Sequence, residues 1–156
     1  MTVTRVIPVE TREVWRVFAD PCARAAQRDI ADVEPVTPCS PGELSPGQRW
    51  RETRTAASGA AITEELVVVG VDEGRSATMA LAGSAGSGHL TYSFRPTIVG
   101  GAPATVVTVS TQRHRYGFAN RLLGFFVGGF AARTEEGALR SELDALAEAC
   151  LAHAFA

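Results

Sequence analysis

The amino-acid sequence predicts an α+β fold, with about six or seven antiparallel strands curved around one long C-terminal helix. Two observations lead there. Between Gln48 and His114 the chain falls into β-rich runs separated by hairpin-length turns of glycine, proline and serine. From about Tyr116 the apolar period becomes helical and stays so to the end. A meander of that kind has one apolar face to cover, and the terminal helix is the element available to cover it.

The elements follow in order. "TVTRVIPV" opens as a strand rich in β-branched residues, and Pro8 punctuates it. "ETREVWRVFAD" sets Val14, Trp15, Val17 and Phe18 on one helical face, and Asp20-Pro21 ends that helix. "ARAAQRD" reads as a second short helix, and "ADVEPVT" as an irregular edge strand demoted by Pro35. After the loop "PCSPGELSPG" come five strands: "QRWRETRT", "AITEELVVVGVD", "SATMALA", "HLTYSFRPT" and "TVVTVSTQRH". "GSAGSG", Gly83 to Gly88, reads as the turn of one hairpin and lacks the lysine and hydroxyl residue of a phosphate loop.

Composition narrows the class. At 156 residues the chain fits one domain, 1–156, and 46% hydrophobic with 21% charged residues is a globular balance. A formal net charge of -2 gives no concentrated basic surface for nucleic acid. Cys22, Cys39 and Cys150 are too few and too scattered for a disulfide framework or a zinc site. The first residues lack the basic start and apolar run of a secretory signal, so the expected location is cytoplasmic. No GxSxG, HExxH or other diagnostic catalytic motif occurs, and neither a cofactor nor a metal is expected.

The start of the last helix is unusual. Leu122 to Ala132 carries no charge, three phenylalanines and three glycines over 11 residues, short of the ~20 that span a bilayer. Leu139, Leu143, Leu146 and Cys150 form the apolar stripe of the second half. Projected backwards at about 100° per residue, that stripe meets Ala132, Gly128 and Phe125. Small residues there either let the sheet approach closely or leave a space. Leu122, Phe126 and Phe130 lie opposite. They mark a homodimer contact if the helix is straight, or a lid if it kinks at Gly128-Gly129.

These patterns in this order resemble the START-related, or SRPBCC, superfamily. Its helix-grip fold is shared by polyketide cyclases, lipid-transfer domains and the major birch pollen allergen. The match is nearest the polyketide cyclase/dehydrase-like branch. It is carried by "PVETREVWRVFAD", "PGQRWRE", "VVGVDEGRSATM", "LTYSFRPT", "ATVVTVS" and the long final helix, nearly the whole chain. The resemblance implies a cavity between sheet and helix that holds an apolar or amphipathic ligand. It does not name the ligand.

Candidate site residues follow from strand alternation. Trp50, Met79, Tyr92 and Phe94 read as cavity wall or as plain core. Glu52 and Arg54 share the parity of Trp50, so they face inward if it does; an exposed charged strand is the other reading. Arg113 is a further polar group to orient a ligand, and Glu64 a further polar residue of interest. Phe125, Gly128 and Ala132 complete the candidate lining. Glu52, Arg54 and His114 are the candidates for acid–base chemistry. His114 sits where the last strand meets the helix; His89 has the outward parity.

Three functions are consistent with the sequence. The first is a binding protein for an apolar or aromatic, lipid- or polyketide-like molecule. The second is an enzyme of the polyketide cyclase, aromatase or dehydratase kind. The third is a protein-interaction module using Leu122, Phe126 and Phe130.

Overall fold

The computed structural model describes residues 1–21, 30–38, 42–55, 59, 61–83, 86–114 and 119–155, and along 119–134 the backbone alone. The strands are β1 (Thr2–Ile7), β2 (Ile30–Pro35), β3 (Arg49–Thr55), β4 (Ala61–Asp72), β5 (Ser76–Gly83), β6 (Gly86–Val99) and β7 (Ala102–His114). The helices are α1 (Thr11–Phe18) and α2 (Ala119–Ala154). The expected second short helix, "ARAAQRD", lies outside the described residues.

All seven strands join one sheet in the order β1-β7-β6-β5-β4-β3-β2, and every neighbouring pair is antiparallel. From β3 to β7 the order is that of a meander, as short turns require. Gly100 and Gly101 join β6 to β7, both at positive φ (59° and 79°), as a two-residue hairpin turn needs. Irregularities at Ile30/Asp32 in β2 and Val68/Gly70 in β4 interrupt the ladder, and bulges of this kind bend a strand. β2, carrying Pro35, is an edge strand, where a missing backbone N–H costs least.

The two faces differ in chemistry. Outward, β1, β5, β6 and β7 present hydroxyls, paired across strands as Thr2 with Ser110, Thr4 with Thr108, and Thr78 with Thr91. Inward stand Val3, Ile7, Trp50, Leu66, Val68, Met79, Leu90, Tyr92, Val107 and Val109, all in the core. Leu139, Leu143, Leu146 and Cys150 of α2 join them, so the predicted stripe is the buried one. Burying such side chains, at about 25 cal/mol per Å² of apolar surface, is the main force seating α2.

One end of this core is closed by aromatics. α1 buries Val14, Trp15 and Phe18. The Trp15 ring meets Phe94 edge-on at 5.2 Å, and Phe18 lies 4.8 Å from both Phe94 and Tyr92. Thr11 and Thr105 share a hydroxyl hydrogen bond of 3.0 Å, and Thr105 also donates to the Val9 carbonyl at 2.8 Å. α1 is thereby pinned to β7, and the aromatic end of the core stays filled.

Candidate functional site: charged clamps inside the grip

Strand alternation sets which polar groups enter the interior. Trp50, Glu52 and Arg54 share a face of β3, and the structure turns that face inward: Glu52 is 1% exposed. The Trp50 indole N–H donates to Oε1 of Glu52 at 2.7 Å, and Arg54 Nη2 donates to Oε2 at 2.9 Å. Arg54 Nη2 also lies 3.5 Å from Oε2 of Glu142 on α2. The Tyr92 hydroxyl of β6 donates to Oε1 of the same glutamate. The result is a buried chain, Trp50–Glu52–Arg54–Glu142–Tyr92, that ties the sheet to the helix. A buried carboxylate is costly unless paired and hydrogen-bonded, and both of these are.

A second clamp lies nearer the N-terminal half of α2. Arg113 of β7 donates to both carboxylate oxygens of Glu64, at 2.7 and 3.4 Å. Its Nε lies 3.2 Å from Oε1 of Glu135, which also accepts from the Thr111 hydroxyl at 3.3 Å. Glu135 and Glu142 are seven residues apart, two turns of helix or about 10 Å along the axis. Each clamp thus repeats one plan: an arginine from a strand, a glutamate from a strand, and a glutamate from α2.

The second clamp depends on glycine. Arg113 pairs in register with Gly88, and Glu64 with Gly83. A Cβ on Gly88 would sit 2.3 Å from the Gln112 carbonyl oxygen and 3.1 Å from Cγ of Arg113. One on Gly83 would sit 3.2 Å from Cγ of Glu64. The ion pair therefore reaches from β7 to β4 across β6 and β5, where Gly88 and Gly83 set no side chain against Arg113 and Glu64. The sequence reading confined these glycines to a turn; the structure places Gly83 in β5 and Gly86 to Gly88 in β6.

Trp50, Met79, Tyr92 and Phe94 are buried and face inward, Phe94 within the aromatic end. His114 ends β7 and is exposed, apart from both clamps; His89 is exposed on the outward parity. Phe125, Gly128 and Ala132, and the contact set Leu122, Phe126 and Phe130, have side chains outside the described residues; the helix itself runs unbroken through Gly128-Gly129. Glu135 and Glu142 were missed. Glu142 stands three residues after Leu139 and four before Leu146, inside the apolar arc, and that placement is the signal that marks it. Among the described residues no His, Cys, Asp and Glu cluster is arranged to hold a metal, and no helix is long and apolar enough to cross a membrane.

A family model described as polyketide cyclase/dehydrase and lipid transport matches residues 1–150. The chain belongs to this family. Its membership of the SRPBCC superfamily agrees with solved structures that share its fold. A Thermus thermophilus protein is 19% identical, with a TM-score of 0.72 over 98% of this chain and 97% of that one. Truncated norcoclaurine synthase from Thalictrum flavum is 15% identical, with a TM-score of 0.65 over 95% and 90%. Ara h 8.0201 is 16% identical, with a TM-score of 0.59 over 97% of each chain. At these identities the likeness is one of fold. No curated protein matches the chain.

Proposed function

We propose that this polyketide cyclase/dehydrase family member is a cytoplasmic binding domain that encloses a small apolar or aromatic molecule between the sheet and the N-terminal half of α2. The observation that carries the reading is the placement of the Arg113–Glu64–Glu135 clamp. Charged groups are kept on the inner face, beside Leu81 and Leu90, where plain packing would put aliphatic side chains. The aromatic end, by contrast, is filled by Trp15, Phe18 and Phe94. Ligand space is therefore assigned to the other end, with Phe125, Gly128 and Ala132 as its helix wall. Apolar burial supplies most of the affinity, and Arg113 fixes orientation.

Native mass spectrometry of freshly purified protein, compared with the same sample denatured, tests this reading. A discrete added mass that vanishes on denaturation supports it. Bare protein that also fails to take up added aromatic compounds counts against it.

A second reading, turnover of a polyketide-like substrate, is favoured by one observation. The Tyr92 hydroxyl donates to the buried Glu142 carboxylate, a hydrogen-bonded pair of groups able to exchange a proton. Under that reading Glu142→Gln removes turnover while ligand binding survives.

A further inference from the structure

This inference rests on the binding-domain reading and names the chemistry of its ligand. Arg113 finds its ion pairs with Glu64 and Glu135, which makes one guanidinium against two carboxylates, a formal balance of one minus two, or -1. A guanidinium has five N–H groups. Two are directed at Glu64, the Nε–H faces Glu135, and the other two have no acceptor among the described residues. The Arg113 side chain is 35% exposed, so an acceptor atom can reach the guanidinium, whereas the Glu64 side chain is 11% exposed.

The donors ask for an oxygen, and the charge balance decides which kind. A ketone, phenol or alcohol oxygen brings no charge and accepts from Arg113 at little electrostatic cost. A carboxylate or phosphate would enter beside two carboxylates that already outweigh the guanidinium. In a partly buried cluster such like-charge proximity costs more than in open solvent. Thr111 donates to Glu135, and Arg113 bridges Glu135 of the helix to Glu64 of the sheet, so the cluster is tied to both elements. We infer that the Glu64–Arg113–Glu135 cluster is a charge filter: it admits a neutral oxygen function on an apolar or aromatic scaffold and rejects the matching carboxylate.

The test uses three probes of one shape at neutral pH: 2-methylnaphthalene, 2-naphthol and 2-naphthoate. Dissociation constants are measured for wild type and for Glu64→Gln, Glu135→Gln and Arg113→Met. Wild type is expected to bind 2-naphthol at least about tenfold tighter than 2-naphthoate, the scale of one lost or gained polar contact. Either glutamine variant brings the balance to zero and should narrow that ratio by strengthening naphthoate. Glu135 lies on the helix and is the more exposed of the two, so Glu135→Gln carries the test if Glu64→Gln does not fold. Arg113→Met should erase the advantage of 2-naphthol over 2-methylnaphthalene. Equal binding of naphthol and naphthoate by wild type overturns the inference alone. A preference that both glutamine variants retain overturns the assignment to this cluster. Failure of wild type to bind any of the three overturns the binding-domain reading itself, and the filter with it.

Discussion

Glu52 on β3 and Glu64 on β4 are cross-strand partners in register, both buried on the inner face of the sheet. Like charges placed directly opposite destabilise a sheet. Here each has its own arginine, Arg54 for Glu52 and Arg113 for Glu64, and each arginine also faces a glutamate of α2. The charges that would repel within the sheet thereby become its attachment to the helix.

Arg54→Met removes the cation between Glu52 and Glu142. Breaking a buried pair costs about 3–5 kcal/mol; with the Arg54 side chain 22% exposed, the low end of that range is expected in urea unfolding. Arg5→Ala, which breaks the exposed pair with Asp144, should cost less than about 1 kcal/mol. Equal effects from the two substitutions would contradict the distinction between clamp and surface pair.

Tyr92 and Glu142 should be energetically coupled. Tyr92→Phe strips the hydroxyl donor from a carboxylate that is 5% exposed, at a cost of about 1–3 kcal/mol. In a double-mutant cycle with Glu142→Gln, the two losses should fall short of additive by at least about 0.5 kcal/mol. Strict additivity would mean that the contact contributes nothing to seating α2.

Gly88 and Gly70 make a matched comparison. Both lie within strands, but a Cβ at Gly70 meets nothing within 4 Å, whereas at Gly88 it meets a backbone oxygen at 2.3 Å. Gly88→Ala should destabilise by about 1–3 kcal/mol, the usual range for overpacking. Gly70→Ala should stay within about 1 kcal/mol of wild type. Similar unfolding midpoints for the two variants would remove the close approach of β7 from the account.

Cys150 is sealed under the sheet, and burial pushes its thiol up from 9.0 to about 12. In a Cys22→Ser/Cys39→Ser background, iodoacetamide at pH 8 should leave the folded protein unmodified and label Cys150 once urea unfolds it. The folded state holds the proton more tightly than the unfolded state. Its contribution to stability is thus complete below pH about 9 and lost as pH rises towards about 12. Cys150→Ala should flatten that alkaline slope in unfolding midpoints, and an unchanged slope would assign it to other groups.

Much of the architecture was legible because period and parity are local. The strands from "AITEELVVVGVD" to "TVVTVSTQRH" and the stripe Leu139, Leu143, Leu146, Cys150 stand where alternation and helical spacing put them. Glu52 is inward because it shares a face with Trp50, but sequence could not say which way that face turned. The clamps were illegible for a different reason. Glu135 and Glu142 reach partners 22 and more residues away through tertiary register, and a glutamate on a helix otherwise reads as a solvated charge. The inward glycines were hidden by their company: Gly83 and Gly88 sit in a stretch whose composition signals a turn.

Backbone amide shifts in a ¹H–¹⁵N spectrum titrated with 2-naphthol report whether the interior beside Arg113 receives a small molecule. Shifts concentrated at inner-face positions Glu64, Leu81, Leu90 and Arg113, with Thr4, Thr108 and Ser93 of the outer face unmoved, are the predicted result. Shifts confined to the outer face or the β2 edge, or none at saturating probe, would contradict it.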